Sequence, residues 1–128
     1  MFLPQKSDNG AVLPWEYIPG AAGSYKTGQL IIITGGQCAA ITADTVTTPP
    51  YLCMATVDLP AGELLPVTRV SDEMIYETTL SAASASAAVG VKLQVANGGL
   101  QVKTGAGTFE IVSLDGTAAG DAVRGRWV

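Results

Sequence analysis

The sequence of 128 residues contains no histidine, and this absence excludes several kinds of active site. A Ser-His-Asp triad, a Cys-His dyad and a histidine-ligated metal site all require an imidazole. Charged residues are also scarce, at 14% of the chain against about 25% in typical soluble domains. With so few charges, Ser, Thr, Gly and Ala must cover the surface, and such a surface favours extensive contacts in an assembly.

The chain is acidic, with a formal net charge of -4 at pH 7. Nucleic acid needs a surface of Lys and Arg, so this balance argues against a nucleic-acid partner. The first residues, Met1–Lys6, lack the charged and then apolar order of a signal peptide. The strongest apolar run, Leu30–Ile33, is far too short to span a bilayer. The sequence therefore predicts a soluble intracellular product with no membrane partner.

The chain has two cysteines, Cys38 and Cys53, whose spacing matches neither a CxxC motif nor a zinc site. Both lie in apolar, strand-like sequence. This context favours two buried, reduced thiols that pack as small hydrophobic side chains, with a disulfide as the alternative.

From residue 29 onward, short β-branched and apolar runs alternate with turn signals. This pattern predicts about seven to nine short strands in an all-β barrel or sandwich. The strand candidates outside the hairpin discussed next are Leu30–Thr34, Gln37–Thr42, Tyr51–Val57, Leu64–Val70, Met74–Thr79, Phe109–Leu114 and Asp121–Val128. The break at Gly35-Gly36 suits a two-residue hairpin turn.

A second hairpin is predicted over residues 91–104, with a type I′ turn at Asn97-Gly98. That turn places Val95 opposite Leu100 and Leu93 opposite Val102, so that both apolar faces coincide.

The same register sets Lys92 opposite Lys103 on the exposed face, where like charges are mildly destabilising. Three alternatives stay open for this pair: a neighbouring carboxylate, an acidic partner surface, or two solvated lysines that splay apart.

The stretch Ser81–Ala88 is the only one with a helix-like composition. Alanine favours a helix, and we expect one or two helical turns that cross an end of the barrel. Its serines are interpreted as a solvated spacer, since no activating base accompanies them.

Residues 1–28 form an extended N-terminal arm in this interpretation, and residues 29–128 form the β domain. Proline and glycine interrupt every period in the arm. A solvated linker would not carry large apolar side chains, so the arm is expected to lie on its own domain or on a partner. These side chains are Phe2, Leu3, Trp15, Tyr17, Ile18 and Tyr25.

Without histidine, an enzyme would rely on carboxylates, lysine, serine or thiol. The densest acidic group, Asp72, Glu73 and Glu77, lacks the spacing of a calcium loop and is interpreted as a solvated turn and strand edge. No glycine-rich loop followed by Lys-Ser/Thr is present for phosphates. The sequence therefore predicts a protein that is not an enzyme and has no catalytic residue, cofactor or metal.

From about Tyr25 to Val128, the sequence resembles the small capsid decoration, or cement, proteins of tailed bacteriophages. The order of several short motifs carries this resemblance. They are Tyr25–Leu30, Pro49–Leu52, Gly62–Val70, Val89–Leu93, Asn97–Leu100, Asp115–Thr117 and Gly120–Val123.

The resemblance implies a non-enzymatic β-barrel or β-tulip protein that binds the outside of an icosahedral head and stabilises it after expansion. The implied partner is the major capsid protein of the same phage. Such proteins commonly sit as homotrimers near local threefold axes of the virion exterior, having been made in the host bacterial cytoplasm. The arm is often the part that reaches the shell.

Phe2, Trp15 and Tyr17 are the anchors that we expect in that role, because aromatic groups give a large contact area at low entropic cost. Other candidate contacts with the capsid are Leu3, Ile18, Tyr25, Lys92 and Lys103.

The alternative function is a carbohydrate-binding or host-adhesion β-sandwich module, associated with a head fibre or a tail. Such a module needs exposed aromatic rings. Outside the arm, the candidates for these rings are Tyr51, Tyr76 and Trp127.

Overall fold

The computed structural model describes residues 1–7, 14–43 and 48–128, and nearly every regular element in these ranges is a β-strand. In chain order the strands are β1 (Leu3–Ser7), β2 (Trp15–Pro19), β3 (Gly23–Tyr25), β4 (Leu30–Thr34), β5 (Gln37–Ala40), β6 (Tyr51–Cys53), β7 (Val57–Leu59), β8 (Leu64–Arg69), β9 (Met74–Thr79), β10 (Lys92–Ala96), β11 (Gln101–Thr104), β12 (Phe109–Leu114) and β13 (Ala122–Trp127). The helical element in these ranges is one 3-10 turn at Asn97–Gly99.

The strands form three sheets in which neighbours are antiparallel. A six-stranded sheet has the order β1-β9-β13-β12-β10-β11, a five-stranded sheet has the order β2-β8-β6-β4-β5, and β3 pairs with β7. The sheets pack as a compact sandwich, and the described strands form no closed barrel. The prediction of an all-β barrel or sandwich is therefore confirmed, and the chain adopts the sandwich.

The five-stranded sheet separates two hydrophobic cores, because successive side chains of a strand point to opposite faces. On β4, Leu30 belongs to the first core and Ile31 to the second. On β6, Leu52 belongs to the first core and its neighbour Cys53 to the second. The first core fills the space against the six-stranded sheet, and the second is covered in part by Tyr25 and Leu59 of the two-stranded sheet.

The N-terminal arm lies along its own domain as the outermost strand of both large sheets. The strand β1 pairs with β9, with Leu3 opposite Glu77, and β2 pairs with β8, with Trp15 opposite Thr68. The expected extended conformation is seen in the described part of the arm, while residues 8–13 lie outside the described residues. The described parts of the arm thus pair with β9 in one large sheet and with β8 in the other.

The prediction of one or two helical turns over Ser81–Ala88 is wrong. The backbone there forms turns whose N–H groups bond mostly to other segments: Ser81 N–H donates to the Val102 carbonyl and Ser84 N–H to the Thr117 carbonyl. The Ser84 side chain is buried and shares a hydrogen bond with the Thr104 hydroxyl. These tertiary hydrogen bonds replace the weak helical preference of a short Ala-Ser stretch.

The predicted type I′ turn at Asn97-Gly98 is also wrong, because the loop takes four residues. Gly99, like the two residues before it, has a positive φ, of 90°. The loop passes so close to β4 that a Cβ atom added at Gly99 would lie 2.6 Å from the Leu30 carbonyl oxygen. A two-residue turn would not bring the chain to this position.

The longer loop shifts the hairpin register by two residues. Val95 lies opposite Val102 instead of Leu100, and Leu93 lies opposite Thr104. Since side chains alternate with a period of two, this shift leaves the buried face unchanged. Leu93, Val95 and Val102 are all fully buried.

The first hairpin forms as predicted, with Thr34 opposite Gln37 across Gly35 and Gly36. These two glycines have φ values of 59° and 78°, as a type I′ turn requires. The candidate over Tyr51–Val57 instead divides into β6 and β7, which belong to different sheets.

Candidate docking surface

Three of the apolar side chains of the arm are covered by the chain itself. Phe2 is fully buried in the first core, where its ring lies 5.8 Å from the Phe109 ring and 5.9 Å from the Trp127 ring. Tyr25 is buried in the second core, and Ile18 packs against that core. Phe2 and Tyr25 are therefore not available to a partner in this structure, which corrects their assignment as contacts.

Two arm residues, Trp15 and Tyr17, lie on the surface with 55% and 62% of their area exposed. They point to the same face of β2 because they are two residues apart. Leu64, which is 56% exposed, continues this face on β8, where it lies opposite Pro19. We call the apolar surface formed by Trp15, Tyr17, Pro19, Leu64 and Pro66 the β2–β8 patch.

The hydrogen bonds of β8 show that the N–H and C=O groups of Tyr17 point away from β8, towards the outer edge of the five-stranded sheet. Pro66 lies opposite Tyr17, but its carbonyl accepts from Met54 N–H (3.0 Å) on the other side of β8. Three residues after Tyr17, Gly20 N–H donates to the Glu63 carbonyl (2.9 Å), so the backbone of Gly20 faces the β8 side. Because successive residues bond to alternate sides of an antiparallel strand, the N–H and C=O groups of Tyr17 face outward. Among the described residues, β8 is the one strand that forms a ladder with β2, and β5 approaches the outer side of β2 at its end, where Gly20 is bridged to Cys38.

The opposite face of β2 and β8 carries charges that are held close to the domain. The Glu16 carboxylate lies 3.8 Å from the Arg69 guanidinium. Arg69 also donates to the Tyr51 hydroxyl (2.8 Å) and lies 5.0 Å from the centre of the Tyr51 ring. This arrangement neutralises Glu16 locally and leaves the β2–β8 patch itself without a charged side chain.

The candidate contacts Lys92 and Lys103 lie in the six-stranded sheet, away from the patch. They do not face each other: Lys92 lies opposite Glu110 and Lys103 opposite Gln94. Glu110 also lies opposite Arg126 of β13, the other strand beside β12. The predicted pairing of Lys92 with Lys103 is therefore wrong, because the longer loop shifts the register, and the residue across from Lys92 is a carboxylate of opposite charge.

Leu3, the remaining candidate, is 41% exposed on β1 of the same sheet. The structure thus places Trp15 and Tyr17 in the patch and none of the other six candidates. Sequence reasoning missed the three other patch residues, because Leu64, Pro66 and Pro19 join the surface only through the pairing of β2 with β8. The alternation of Leu64 and Pro66 in the sequence was the available signal.

An open cleft of about 530 Å³ lies beside β2, with Glu16, Arg69, Asp72 and Trp127 among its lining residues. The Trp127 indole N–H is buried and has no hydrogen-bond acceptor in the described structure. Within the described ranges no group of three or more metal-ligating side chains comes together.

The acidic group found in the sequence is divided in the structure. Asp72 lines the cleft, whereas Glu77 is bound by Arg124, whose Nε lies 3.0 Å from the carboxylate. Arg124 also donates to the Asp115 carboxylate and to the Ser113 hydroxyl, and its hydrogen bonds to Asp115 and Glu77 raise the pKa of Arg124. This network is a polar surface of the six-stranded sheet.

The two thiols are free, fully buried members of the second core. Burial raises the pKa of Cys38 and of Cys53 above the ordinary value of 9.0. The proximity of Cys53 adds to the effect on Cys38. The prediction of buried, reduced thiols is confirmed.

These raised pKa values predict that stability falls in alkaline solution. An unfolded chain loses its thiol protons near pH 9.0, whereas the folded chain still holds them, so unfolding becomes more favourable as the pH rises further. We expect a lower midpoint of urea denaturation at about pH 10 than at about pH 8. In the matched Cys38→Ala variant the decrease should be smaller. An equal decrease in both proteins would contradict the assignment to Cys38.

Comparison of the chain with models of known protein families, and with curated proteins, gives no match. The described residues also include no helix long and apolar enough to cross a membrane. The geometry of the surface therefore carries the functional argument. The aromatic rings expected for a sugar site outside the arm are not exposed: Tyr51, Tyr76 and Trp127 have 8%, 0% and 2% of their area accessible.

Proposed function

We propose that this protein is a structural virion protein that binds the outer surface of a phage capsid and stabilises the expanded head. The observation that supports this proposal best is the β2–β8 patch, in which Trp15 and Tyr17 are exposed side by side on a strand of the arm. Proteins seldom leave several large apolar groups together on the surface unless another molecule covers them.

The patch has the chemistry of an anchoring contact. Trp and Tyr are enriched among the side chains that dominate binding energy at interfaces. Both residues lie on a strand that is paired along its length with β8, so little order has to be gained on binding. The partner in this proposal is the major capsid protein of the same phage, and no catalytic step is involved.

Many copies on one shell would reinforce each other. A modest contact at each copy stabilises the head because neighbouring capsomers are held at many points at once. The resemblance implies homotrimers near local threefold axes, and this arrangement belongs to the proposal. The virion exterior is then where the protein acts.

Co-sedimentation with shells assembled from the major capsid protein of the same genome tests the proposal. We expect binding to expanded shells to saturate at a fixed number of copies per capsomer. Unexpanded shells serve as the matched control and should bind less. Absence of binding to shells of either maturation state would contradict the proposal.

A second candidate is carbohydrate binding, because the exposed rings of Trp15 and Tyr17 on one face of a strand also suit stacking against sugars. In that case we expect binding to immobilised glycans that is lost in Trp15→Ala. Binding to shells with no signal on a glycan array would favour the capsid over the glycan.

A further inference from the structure

We propose that copies of this chain bind one another head to tail, with the outer face of the six-stranded sheet of one copy lying on the open cleft beside β2 of the next. The contact joins two unlike surfaces, so each copy can bind two others. It follows from the distribution of charge over the chain and does not depend on the proposed function.

The charged side chains are divided unevenly between the six-stranded sheet and the rest of the chain. The strands of this sheet hold five of the seven cationic side chains and two of the eleven carboxylates, a net charge of +3. The cations are Lys6, Lys92, Lys103, Arg124 and Arg126, and the carboxylates are Glu77 and Glu110. Two cations and nine carboxylates remain for the rest of the chain, a net charge of -7. Another copy of this chain therefore offers the sheet a surface of opposite sign, which favours their association.

Three charges of alternating sign lie side by side across the middle strands of this sheet. Lys92 on β10 lies opposite Glu110 on β12, and Glu110 lies opposite Arg126 on β13. Because adjacent strands are about 4.8 Å apart, the backbones at Lys92 and Arg126 are separated by roughly 10 Å, with Glu110 between them. The three side chains face outward, since Lys92 is exposed while its neighbour Leu93 is fully buried. We call Lys92, Glu110 and Arg126 the charged row.

The cleft beside β2 presents three charges in the reverse order of sign. Glu16, Arg69 and Asp72 all line this cleft. Glu16 lies beside Val67 of β8, Arg69 ends β8 two residues later, and Asp72 stands exposed in the turn that follows. The Arg69 side chain is 64% exposed, and it is held in place by Glu16 at 3.8 Å and by the Tyr51 hydroxyl at 2.8 Å. A fixed positive charge therefore lies between two negative ones.

The charged row of one copy matches the cleft of the next charge by charge. Glu110 comes to Arg69, Lys92 comes to Asp72, and Arg126 comes to Glu16, so every contact joins opposite signs. A shifted arrangement would bring like charges together, which is unfavourable at an interface. Each exposed ion pair is weak by itself, so we expect the association to be reversible.

The contact leaves the β2–β8 patch uncovered. Trp15 and Tyr17 point to one face of β2, and Glu16 points to the other. Contacts between unlike surfaces close into a ring or continue as a filament. An assembly of either kind would present several copies of the patch together, and the use of these patches on a shell rests on the proposed function.

Sedimentation of the full chain, without any shell, tests the contact. We expect the weight-average mass to rise above 13.1 kDa with concentration, and to fall back in about 0.5 M NaCl because salt screens exposed charges. Lys92→Glu and Asp72→Lys should each weaken association by about tenfold or more, since each brings like charges together. Lys26→Glu and Glu63→Lys are the matched controls. They make the same changes of charge at exposed residues outside both surfaces and should leave association unchanged.

The double variant Lys92→Glu/Asp72→Lys tests whether these two residues meet. It reverses the charge on both sides of the contact, so it should associate more strongly than either single variant. Three results would overturn the contact: a wild-type mass that stays at one chain at every concentration, single variants that associate like the wild type, or a double variant no stronger than the single ones. Because no shell is present, these outcomes are separate from success or failure of shell binding.

Discussion

Trp15→Ala is expected to remove most of the bound protein from expanded shells while the chain remains folded. The indole is 55% exposed and lies outside both cores, so its loss should have little effect on stability. A central aromatic anchor contributes about 2 kcal/mol or more to the free energy of binding at an interface. Its loss lowers the affinity of each contact by roughly 30-fold. Co-sedimentation followed by gel densitometry measures the occupancy.

Leu3→Ala is the control for this experiment, since it removes an exposed apolar side chain from the other strand of the arm. It should leave occupancy near the wild-type level. Normal occupancy of Trp15→Ala shells would remove the β2–β8 patch from the proposal. Equal losses in both variants would indicate a contact spread over the arm instead of one centred on the patch.

Phe2→Ala is expected to cause a large loss of folding stability, in contrast to Trp15→Ala, although both residues belong to the same arm. Phe2 is fully buried, and its ring packs against those of Phe109 and Trp127. Removing a buried phenyl ring typically lowers the free energy of unfolding by about 3–5 kcal/mol. Urea denaturation monitored by fluorescence of Trp127 and Trp15 measures the change.

The conservative variant Phe2→Leu fills much of the same space and should cost less than Phe2→Ala. A loss below about 1 kcal/mol in Phe2→Ala, the level of an ordinary substitution, would show that the first residues do not complete the core in solution. The pair Phe2→Ala and Trp15→Ala thus separates the structural from the binding role of the arm.

The regular strands could be predicted from the sequence because their periodicity is local. Leu30–Thr34, Met74–Thr79 and Phe109–Leu114 have the predicted bounds, and Gly35-Gly36 supplies the backbone angles of its turn. The register at Asn97 could not be predicted, since the second glycine of that loop, Gly99, is required by a contact with Leu30, which is distant in the sequence.

The docking surface could be predicted only in part for a related reason. The aromatic side chains of Phe2, Trp15 and Tyr17 all favour a contact with a partner in the sequence. In the structure Phe2 lies in the core, whereas Trp15 and Tyr17 are exposed. Sequence alone does not distinguish them, because burial in the arm depends on which sheet each strand joins. The prediction of helical turns over Ser81–Ala88 is wrong for the same reason, because hydrogen bonds to distant carbonyls outweigh a marginal helical preference.

The strands β4 and β6 have one further consequence for the molecule as a whole. Both strands lie between the two cores. Leu30 and Leu52 pack in the first core, and Ile31 and Cys53 pack in the second. Neither core can be opened without removing a surface against which the other packs. A strain applied at the arm is therefore resisted by both cores together, and the domain should act as one mechanical unit.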